Sequence, residues 1–277
     1  MLKQRIATAL VLLAVLLPVL AIGNIWPFAI ITLTAMSLAG WEWARLNDGG
    51  RLSVLLGLAL GLACALALWA GWAEAAPPLA WWAAALIWVL GGTWVLRGGV
   101  AVWPNLHRVV RLGVGLLALW TAWLAMVNAK AAGVNFILSI FVVVWAADIF
   151  AYFGGRAFGK HKLAPAISPG KSWEGVWSGM IGALVAAAIW LAVDASGHVD
   201  SASFYQVVMA RFSLAGLALV VVFLVAMSVV GDLLESLVKR SAGAKDSSGL
   251  LPGHGGILDR VDALLPVFPI ALALAAR

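Results

Sequence analysis

The sequence has few charged residues. Only 11% of its 277 residues are Asp, Glu, Lys or Arg, against roughly 25% in ordinary soluble domains, while 64% are hydrophobic. So small a number of polar groups leaves too little polar surface to solvate a globule in water. The composition therefore excludes a soluble domain and indicates an integral membrane protein.

Cysteine is almost absent as well. Cys64, which lies within an apolar run, is the only one in the chain. Its isolation excludes a disulfide framework and a paired-cysteine metal site, and we interpret it as a small buried apolar residue. The net charge of +6 is compatible with nucleic-acid binding, but basic residues that flank apolar spans are explained first by orientation in a bilayer. We therefore expect no nucleic-acid partner.

Long apolar runs recur along the chain. A helix needs about 20 mostly apolar residues to cross the hydrocarbon core, and continuous rather than alternating hydrophobicity favours helices over strands. The sequence therefore predicts an all-α, polytopic membrane protein with about nine transmembrane helices. The last predicted span is short and contains two prolines, which suggests a re-entrant or kinked segment. The spans are 5–22, 25–44, 52–72, 78–96, 109–127, 134–153, 173–193, 208–230 and 263–276.

Lys and Arg are distributed unevenly between the loops. With the N-terminus in the cytoplasm and an uncleaved first span, 15 of the 18 fall on the cytoplasmic side, and only Lys130, Arg211 and Arg277 fall outside. This is the asymmetry that the positive-inside rule predicts. Polar residues that suggest chemistry are concentrated from Asp148 onward. We therefore interpret residues 1–130 as a scaffold of transmembrane helices, and residues 131–277 as a catalytic region with two cytoplasmic charged loops.

One carboxylate lies inside a predicted span. Asp148 has Tyr152 one helical turn later on the same face. A charge within the bilayer is costly, so such a residue is a functional-site hypothesis by default and should face a polar cavity. The structural alternative is that Asp148 lies near the cytoplasmic end of its helix and pairs with Arg156.

A second feature is the segment 168–175, Ser-Pro-Gly-Lys-Ser-Trp-Glu-Gly, which leads into a span. It is not a Walker A loop, because Pro165 stands where that motif needs a glycine. What remains is a basic loop with Ser168 and Lys171 at the start of a helix, where free backbone amides suit a phosphate. A capped interfacial helix start is an equally good interpretation of these residues alone.

The densest charge lies in residues 231–262. Asp232 and Glu235 lie three apart, as do Asp259 and Asp262, so each pair can project from one side of a helix. Between the pairs the chain carries several cations and a Pro-Gly-His-Gly-Gly turn, whose glycines let backbone approach a ligand closely. Hard oxygen donors beside cations are what a magnesium-bound polyphosphate requires. A surface salt-bridge cluster is the alternative, but it does not explain the glycine turn.

The same segment, written Ser236-x-Val-Lys-Arg-x4-Lys-Asp-x-Ser-x2-Leu-Pro-x-His-Gly-Gly-Ile-x-Asp-Arg-Val-Asp262, resembles the signature of the CDP-diacylglycerol synthase, or phosphatidate cytidylyltransferase, family. The resemblance implies a nucleotidyltransferase of phospholipid biosynthesis that transfers the cytidylyl group of CTP to phosphatidate, giving CDP-diacylglycerol and pyrophosphate. It also implies an active site on the cytoplasmic face of the cytoplasmic (inner) membrane. Gly170 departs from the pattern, because many members of the family carry a second lysine there.

The resemblance also implies roles for individual residues. The residues that it implies to be catalytic are Asp232, Asp259, Lys239, Arg240, Lys245 and Arg260. Its substrate-binding residues are Ser168, Lys171, His254, Gly255, Gly256 and Tyr152, and its Mg²⁺ ligands are Asp148, Asp232, Asp246 and Asp259. The expected partners are CTP, phosphatidate and surrounding membrane lipid. A second ion, monovalent or divalent, and a homodimer are both compatible with the family.

Two other functions are compatible with a membrane protein of this kind. A CTP-dependent lipid kinase of the polyprenol or phytol type shares the nucleotide and the membrane but transfers the terminal phosphate. An ion-coupled transporter would use Asp148 as its intramembrane carboxylate. A transporter should have corresponding interrupted helices in its two halves, whereas the polar residues here are concentrated in the second half.

Overall fold

The computed structural model describes residues 2–276, apart from the side chains of residues 2–7, 9 and 12. Most of the chain is helical. In order, the elements are α1 (Leu2–Ala21), α2 (Ile25–Leu46), α3 (Leu52–Trp69), α4 (Pro78–Leu86), a π-helical turn (Ile87–Gly92), α5 (Thr93–Gly98), α6 (Val102–Asn105), α7 (Arg108–Ala132), α8 (Val134–Phe158), β1 (Lys162–Ala164), β2 (Ser168–Ser172), α9 (Trp173–Asp194), α10 (Phe204–Ser241), α11 (Leu258–Val261) and α12 (Leu264–Ala275).

The predicted membrane character is confirmed. Within the described residues, seven helical segments are long and apolar enough to cross a membrane, and they correspond to the seven predicted spans from 25–44 to 208–230. The third of them is continuous from Pro78 to Gly98 through the π-helical turn. Predicted span 5–22 coincides with α1. The all-α prediction needs one small correction, because β1 and β2 form a two-stranded antiparallel sheet.

The last predicted span, 263–276, forms a core helix. α12 has 12 residues, which at 1.5 Å per residue is about 18 Å, short of the hydrocarbon thickness of about 30 Å. Its residues 264–273 are all buried, and Phe268 packs edge-to-face against Phe141 of α8. α12 also contacts α4, α7 and α10. A helix that is apolar on all its faces belongs inside a bundle, so α12 packs in the interior, and its last residues lie beside α10, where Arg211 donates to the carbonyls of Leu274 and Ala276.

Small residues bring α8 and α9 close together. A Cβ atom at Gly175 would lie 2.9 Å from the carbonyl oxygen of Ala151, and one at Gly179 would lie 2.8 Å from that of Ala147. Helices in a bilayer associate through such close backbone contact, because lipid gives no hydrophobic force between them. This contact fixes the position of α8, and with it the position of Asp148.

The α7–α8 and α9–α10 turns lie at the same end of the bundle. Two acids, Asp194 and Asp200, connect them through hydrogen bonds. Asp200 accepts from the backbone amides of Val134 at 2.6 Å and Asn135 at 2.9 Å, which begin α8. The buried Asp194 accepts from the Asn135 side chain at 2.8 Å and from the Ser203 hydroxyl. The charged loops of residues 159–172 and 242–262 lie at the other ends of α8, α9 and α10, so the two sets of turns occupy opposite ends of the bundle.

Candidate functional site

Two neighbouring cavities lie beside the charged loops. The first, of about 510 Å³, is lined by α8, α9, α10 and β2. The second, also of about 510 Å³, is lined by α8, α10 and residues 246–264. Asp148 of α8 and Asp232 of α10 line both cavities. The two carboxylates therefore lie where the cavities meet.

The first cavity combines apolar helix walls with a few polar side chains. Val176, Val225 and Val229 are among its apolar lining, and the sequence-predicted residues Tyr152, Ser168 and Lys171 are among its polar lining. Arg156 lines it too, and its guanidinium lies 3.5 Å from the Tyr152 hydroxyl. In the described part of the chain Arg156 does not form the ion pair with Asp148 that the structural alternative required.

Lys171 reaches the site from a short hairpin. β1 and β2 pair with Lys162 opposite Ser172, and Ser172 then caps α9 by accepting a hydrogen bond from the Gly175 amide at 3.2 Å. The Lys171 ammonium lies 2.6 Å from the Asp232 carboxylate on α10. The capped helix start that the sequence left open is thus confirmed, and the lysine forms an ion pair with an acid of the site. Its predicted contact with phosphate stays a prediction.

Charged side chains dominate the lining of the second cavity. They include all four predicted metal ligands and two of the predicted catalytic cations: Asp148, Asp232, Asp246, Asp259, Lys239 and Arg260, with Asp262 in addition. Burial and the nearby Asp232 carboxylate raise the pKa of Asp262. Within the part of the chain that is described, no three His, Cys, Asp or Glu side chains converge closely enough to hold a metal ion by themselves. The acids share a cavity without meeting at one point.

Asp259 is bound through both of its carboxylate oxygens. Lys239 pairs with Oδ1, and three donors bind Oδ2: the Ser247 amide at 2.9 Å, the Ser247 hydroxyl at 2.8 Å and the Gly256 amide at 2.7 Å. Burial alone would raise the pKa of Asp259, but the hydrogen bonds from Lys239 and the two amides lower it to about 2. Lys239 pairs with Glu235 as well. Asp259 is therefore a fixed, ionised carboxylate.

The glycine turn approaches protein carboxylates. Gly255 has a φ of 82°, in the left-handed region that favours glycine, and a Cβ atom there would lie 2.5 Å from an Asp259 oxygen. A Cβ atom on Gly256 would overlap the carboxylate of Glu42 and the Ser247 hydroxyl. The close backbone approach that the sequence predicts is present, but its partners are these side chains. Contact of the two glycines with substrate stays a prediction.

Three further predicted residues line neither of these two cavities. Arg240 donates to the carbonyl of Ile167 at 3.3 Å, which ties the end of α10 to the hairpin. Lys245 is exposed. The His254 carbonyl accepts from Arg260 at 2.7 Å, and its buried ring Nδ1 has no hydrogen-bond partner among the described residues. Their predicted roles in catalysis and substrate binding stay predictions.

The sequence interpretation missed a residue in the first half of the chain. Glu42 of α2 is fully buried and accepts hydrogen bonds from the loop that carries the signature. Its neighbour Arg45 donates to the carbonyl of Ser247 at 2.6 Å. The available signal was an acid flanked by Trp41 and Trp43 near the end of an apolar span. The expectation that the relevant polar residues begin at Asp148 is therefore incomplete.

Comparison with known proteins gives a consistent result. A sequence model of the group described as the cytidylyltransferase family matches residues 3–276. A phosphatidate cytidylyltransferase of Pseudomonas aeruginosa is 44% identical to this chain, over 99% of the chain and 97% of the relative. One from Haemophilus influenzae is 34% identical over 97% and 96%, respectively. One from Brucella melitensis is 44% identical over 133 residues, which cover 48% of this chain and 44% of the relative.

Proposed function

The chain belongs to the cytidylyltransferase family, and on that premise we propose that it transfers the cytidylyl group of CTP to phosphatidate, giving CDP-diacylglycerol and pyrophosphate. Two relatives that align over nearly their whole length carry the name phosphatidate cytidylyltransferase. The protein is accordingly a nucleotidyltransferase of phospholipid biosynthesis. This agrees with the resemblance that the signature segment indicates.

The observation that carries this proposal is the pair of cavities that share Asp148 and Asp232. The first lies between membrane-spanning helices and has apolar walls, which suits a lipid whose phosphate must reach a polar group. The second is lined by charged residues from α8, from α10 and from the loop that follows α10, which suits a nucleotide triphosphate. A reaction between one substrate in the bilayer and one in water needs such a junction.

The chemistry needs no nucleophile from the protein. The second pKa of a phosphate monoester is near 6, so phosphatidate is largely a dianion at neutral pH. One of its phosphate oxygens attacks the α-phosphorus of CTP and forms the new phosphorus–oxygen bond. The bond from the α-phosphorus to the oxygen that bridges to the β-phosphate breaks in line, and pyrophosphate leaves with that electron pair.

The main obstacle is repulsion between the substrates. Two unit charges about 4 Å apart repel by about 4 kcal/mol at an effective dielectric near 20, and several such charges meet here. We assign Lys171, with Ser168 and Tyr152, to the lipid phosphate. We assign Lys239 and Arg260 to the nucleotide phosphates and to the charge that develops on pyrophosphate. Arg240, Lys245 and the turn from His254 to Gly256 are assigned supporting roles in phosphate binding, from the family resemblance.

The oxygen donors of the second cavity fit a magnesium ion. Mg²⁺ is usually held by one or two carboxylates, with substrate phosphates and water completing its shell, so it does not need three converging acids. We assign Asp232 and Asp259 as its leading ligands, with Asp148 and Asp246 as further ligands. Three donors already bind Oδ2 of Asp259 and Lys239 pairs with Oδ1, so an ion bound at this residue would compete with Lys239 for Oδ1. When bound, the ion would neutralise phosphate charge, and the donor set leaves room for a second ion, monovalent or divalent.

We also propose that α1 crosses the bilayer, which gives eight crossings around the buried α12, with the N-terminus and the site on the cytoplasmic side of the inner membrane. The distribution of Lys and Arg supports this orientation. Lys130 and Arg211, two of the three cations expected outside, lie near the end that carries Asp200; Arg277, the third, lies outside the described residues. The partners are then CTP, phosphatidate and surrounding lipid, without nucleic acid, and a homodimer is proposed from family resemblance.

The proposal is tested with purified protein, phosphatidate vesicles and CTP labelled at the α-phosphate. We expect the label to appear in the lipid fraction together with one equivalent of pyrophosphate. Label that stays in soluble CDP, with a newly phosphorylated lipid alcohol when one is supplied, would identify a lipid kinase. Unchanged CTP would favour the transporter. No contact among the described residues favours either alternative function.

A further inference from the structure

Glu42 is a buried carboxylate in the half of the chain that the sequence assigns to the scaffold. It lies in the last part of α2, and its exposed fraction is 0%. Taking a carboxylate out of water costs several kcal/mol unless donors replace the lost hydration. A single acid held in such a place must therefore be matched by specific donors.

All of the donors to Glu42 come from the signature segment. Oε1 accepts from the Ser248 hydroxyl and from the backbone amide of Ile257 at 3.1 Å. Oε2 accepts from the backbone amide of Leu258 at 2.7 Å and lies 3.1 Å from the Ser247 hydroxyl oxygen. These donors lie 205 to 216 residues away in sequence. One carboxylate thus joins the two ends of the loop, residues 247–248 and 257–258.

A single side chain, the Ser247 hydroxyl, lies within hydrogen-bond distance of both Glu42 and Asp259. The Ser247 hydroxyl lies 3.1 Å from Oε2 of Glu42 and 2.8 Å from Oδ2 of Asp259. Because the hydroxyl carries one proton, it donates to one carboxylate at a time, while the Ser247 amide donates to Asp259 at 2.9 Å. The position of Ser247 is therefore set by both acids, and a change at Glu42 reaches Asp259 through it.

We propose that Glu42 is a positioning residue for the nucleotide side of the site: it closes the loop of residues 246–259 onto α2 and so holds Asp259 at the wall of the second cavity. This rests on the proposed function in one respect, that the second cavity binds CTP. Glu42 itself lines neither cavity described above. Its effect on the reaction is exerted through Ser247, Ser248 and the amides of Ile257 and Leu258.

The contacts explain why a carboxylate is needed at this position. Two of the four donors are backbone amides, which cannot become acceptors. A glutamine would put an amide nitrogen in place of one oxygen, so at least one of these N–H groups would lose its partner inside the protein. The backbone at Gly256 lies so close to Oε1 that a Cβ atom there would overlap it. The loop therefore has little freedom to rearrange around a different side chain.

The test compares Glu42→Gln with Asp194→Asn in full-length protein purified in detergent. Asp194 is a matched control because it is 5% exposed and hydrogen-bonded by two side chains at the opposite end of the bundle. We expect Glu42→Gln to raise KM for CTP about tenfold while KM for phosphatidate changes by less than about twofold. We expect Asp194→Asn to lower the thermal midpoint and leave both KM values unchanged.

A second measurement does not depend on turnover. Trypsin can cleave after Lys245, an exposed residue that directly precedes the loop, and release of the loop should make this cleavage faster. We expect about fivefold faster cleavage in Glu42→Gln than in the wild type, with no change in Asp194→Asn. If Glu42→Gln does not accumulate, Ser248→Ala removes one of the four contacts and leaves the carboxylate in place. We then expect increases of about two- to threefold in KM for CTP and in cleavage rate.

The outcomes separate this inference from the proposed function. Wild-type KM for CTP and wild-type cleavage in Glu42→Gln would overturn the positioning role. Equal changes in Glu42→Gln and Asp194→Asn would also overturn it, because they would show a general loss of stability. If the wild type itself does not transfer the cytidylyl group, the proposed function fails, while the cleavage rates still decide whether Glu42 holds the loop.

Discussion

Individual side chains of the site are already engaged with one another. Lys171 is paired with Asp232, and Lys239 is paired with Asp259 and Glu235. Cations and acids that are neutralised in this way can lie side by side near a membrane at lower cost than isolated charges. On the proposed function, phosphates that enter the site would compete with the acids for the two lysines. These lysines and acids of the site are therefore present as ion pairs.

Asp259→Asn is expected to reduce cytidylyl transfer by about 100-fold or more while the protein still inserts into the membrane. An amide nitrogen at Oδ2 would face the N–H donors of Ser247 and Gly256, and at Oδ1 it would face the ammonium of Lys239. Either orientation leaves donors unpaired and removes a negative charge. The measurement is the initial rate with α-labelled CTP, normalised to the amount of protein in the membrane.

The control for this substitution is Glu74→Gln. The sequence alone would suggest Asp194, because it lies in a turn on the other side, but Asp194 is buried and hydrogen-bonded. Glu74 is exposed, so we expect its variant to keep wild-type activity. Comparable rates in Asp259→Asn and Glu74→Gln would contradict the placement of the reaction in the second cavity.

The sequence predicted part of the site at the level of residues. The family resemblance named Asp232, Lys239, Asp259 and Arg260, and the structure brings these residues together around one cavity. It did not find Glu42, because the partners of a lone acid more than 200 residues away depend on tertiary packing. The sequence interpretation also assigned Gly255 and Gly256 to substrate binding. Glycine predicts that another group approaches the backbone closely, but it does not predict which group that is.

At the level of elements, hydropathy predicted where the apolar helices lie in the sequence, but not whether each helix faces lipid or the interior of the bundle. Seven predicted spans correspond to membrane-length helices, because a run of about 20 apolar residues has few other solutions. The burial of α12 was not predictable in the same way, since apolar side chains suit both lipid and the interior of a bundle. The hairpin of β1 and β2 was missed because three- and five-residue strands carry too short a pattern.

The start of α8 depends on an acid from another turn. The N-cap residue of this helix, Gly133, has no side chain to cap it, and Asp200 accepts from the amides of Val134 and Asn135 instead. We expect Asp200→Ala to destabilise the protein by about 1 kcal/mol. Asp200→Asn keeps an acceptor oxygen, so it should lose less stability than Asp200→Ala. Cytidylyl transfer at permissive temperature should be unchanged in both variants.

This stabilisation should depend on pH. Burial alone would raise the pKa of Asp200, but hydrogen bonds from the two amides lower it below its ordinary value. A carboxylate with a lowered pKa in the folded state stabilises fully above its unfolded pKa of about 3.9, and that stability is lost as pH falls through the folded pKa. The thermal midpoints of the wild type and Asp200→Ala should therefore differ at pH 7 and converge below about pH 4. A gap that is constant with pH would contradict an ionised cap.

The orientation of the whole molecule can be tested with single cysteines. Cys64 is fully buried, so an impermeant maleimide should not label it. Arg51→Cys and Ser196→Cys place thiols at exposed positions between α2 and α3 and between α9 and α10. In intact spheroplasts we expect labelling of Ser196→Cys alone, with Arg51→Cys labelled only after the membrane is disrupted. The reverse pattern would place the site on the outer face.

The burial of α12 has a consequence for biosynthesis. The helices that it contacts, α4, α7, α8 and α10, all come earlier in the chain. Those helices leave the ribosome and enter the bilayer before the segment that fills the space between them has been translated. The nascent protein therefore passes through a stage in which a ring of inserted helices surrounds an unfilled centre. The signature loop leads directly into α12, so it is translated just before this last helix, after the two helices that it contacts through Glu42 and Lys239 are complete.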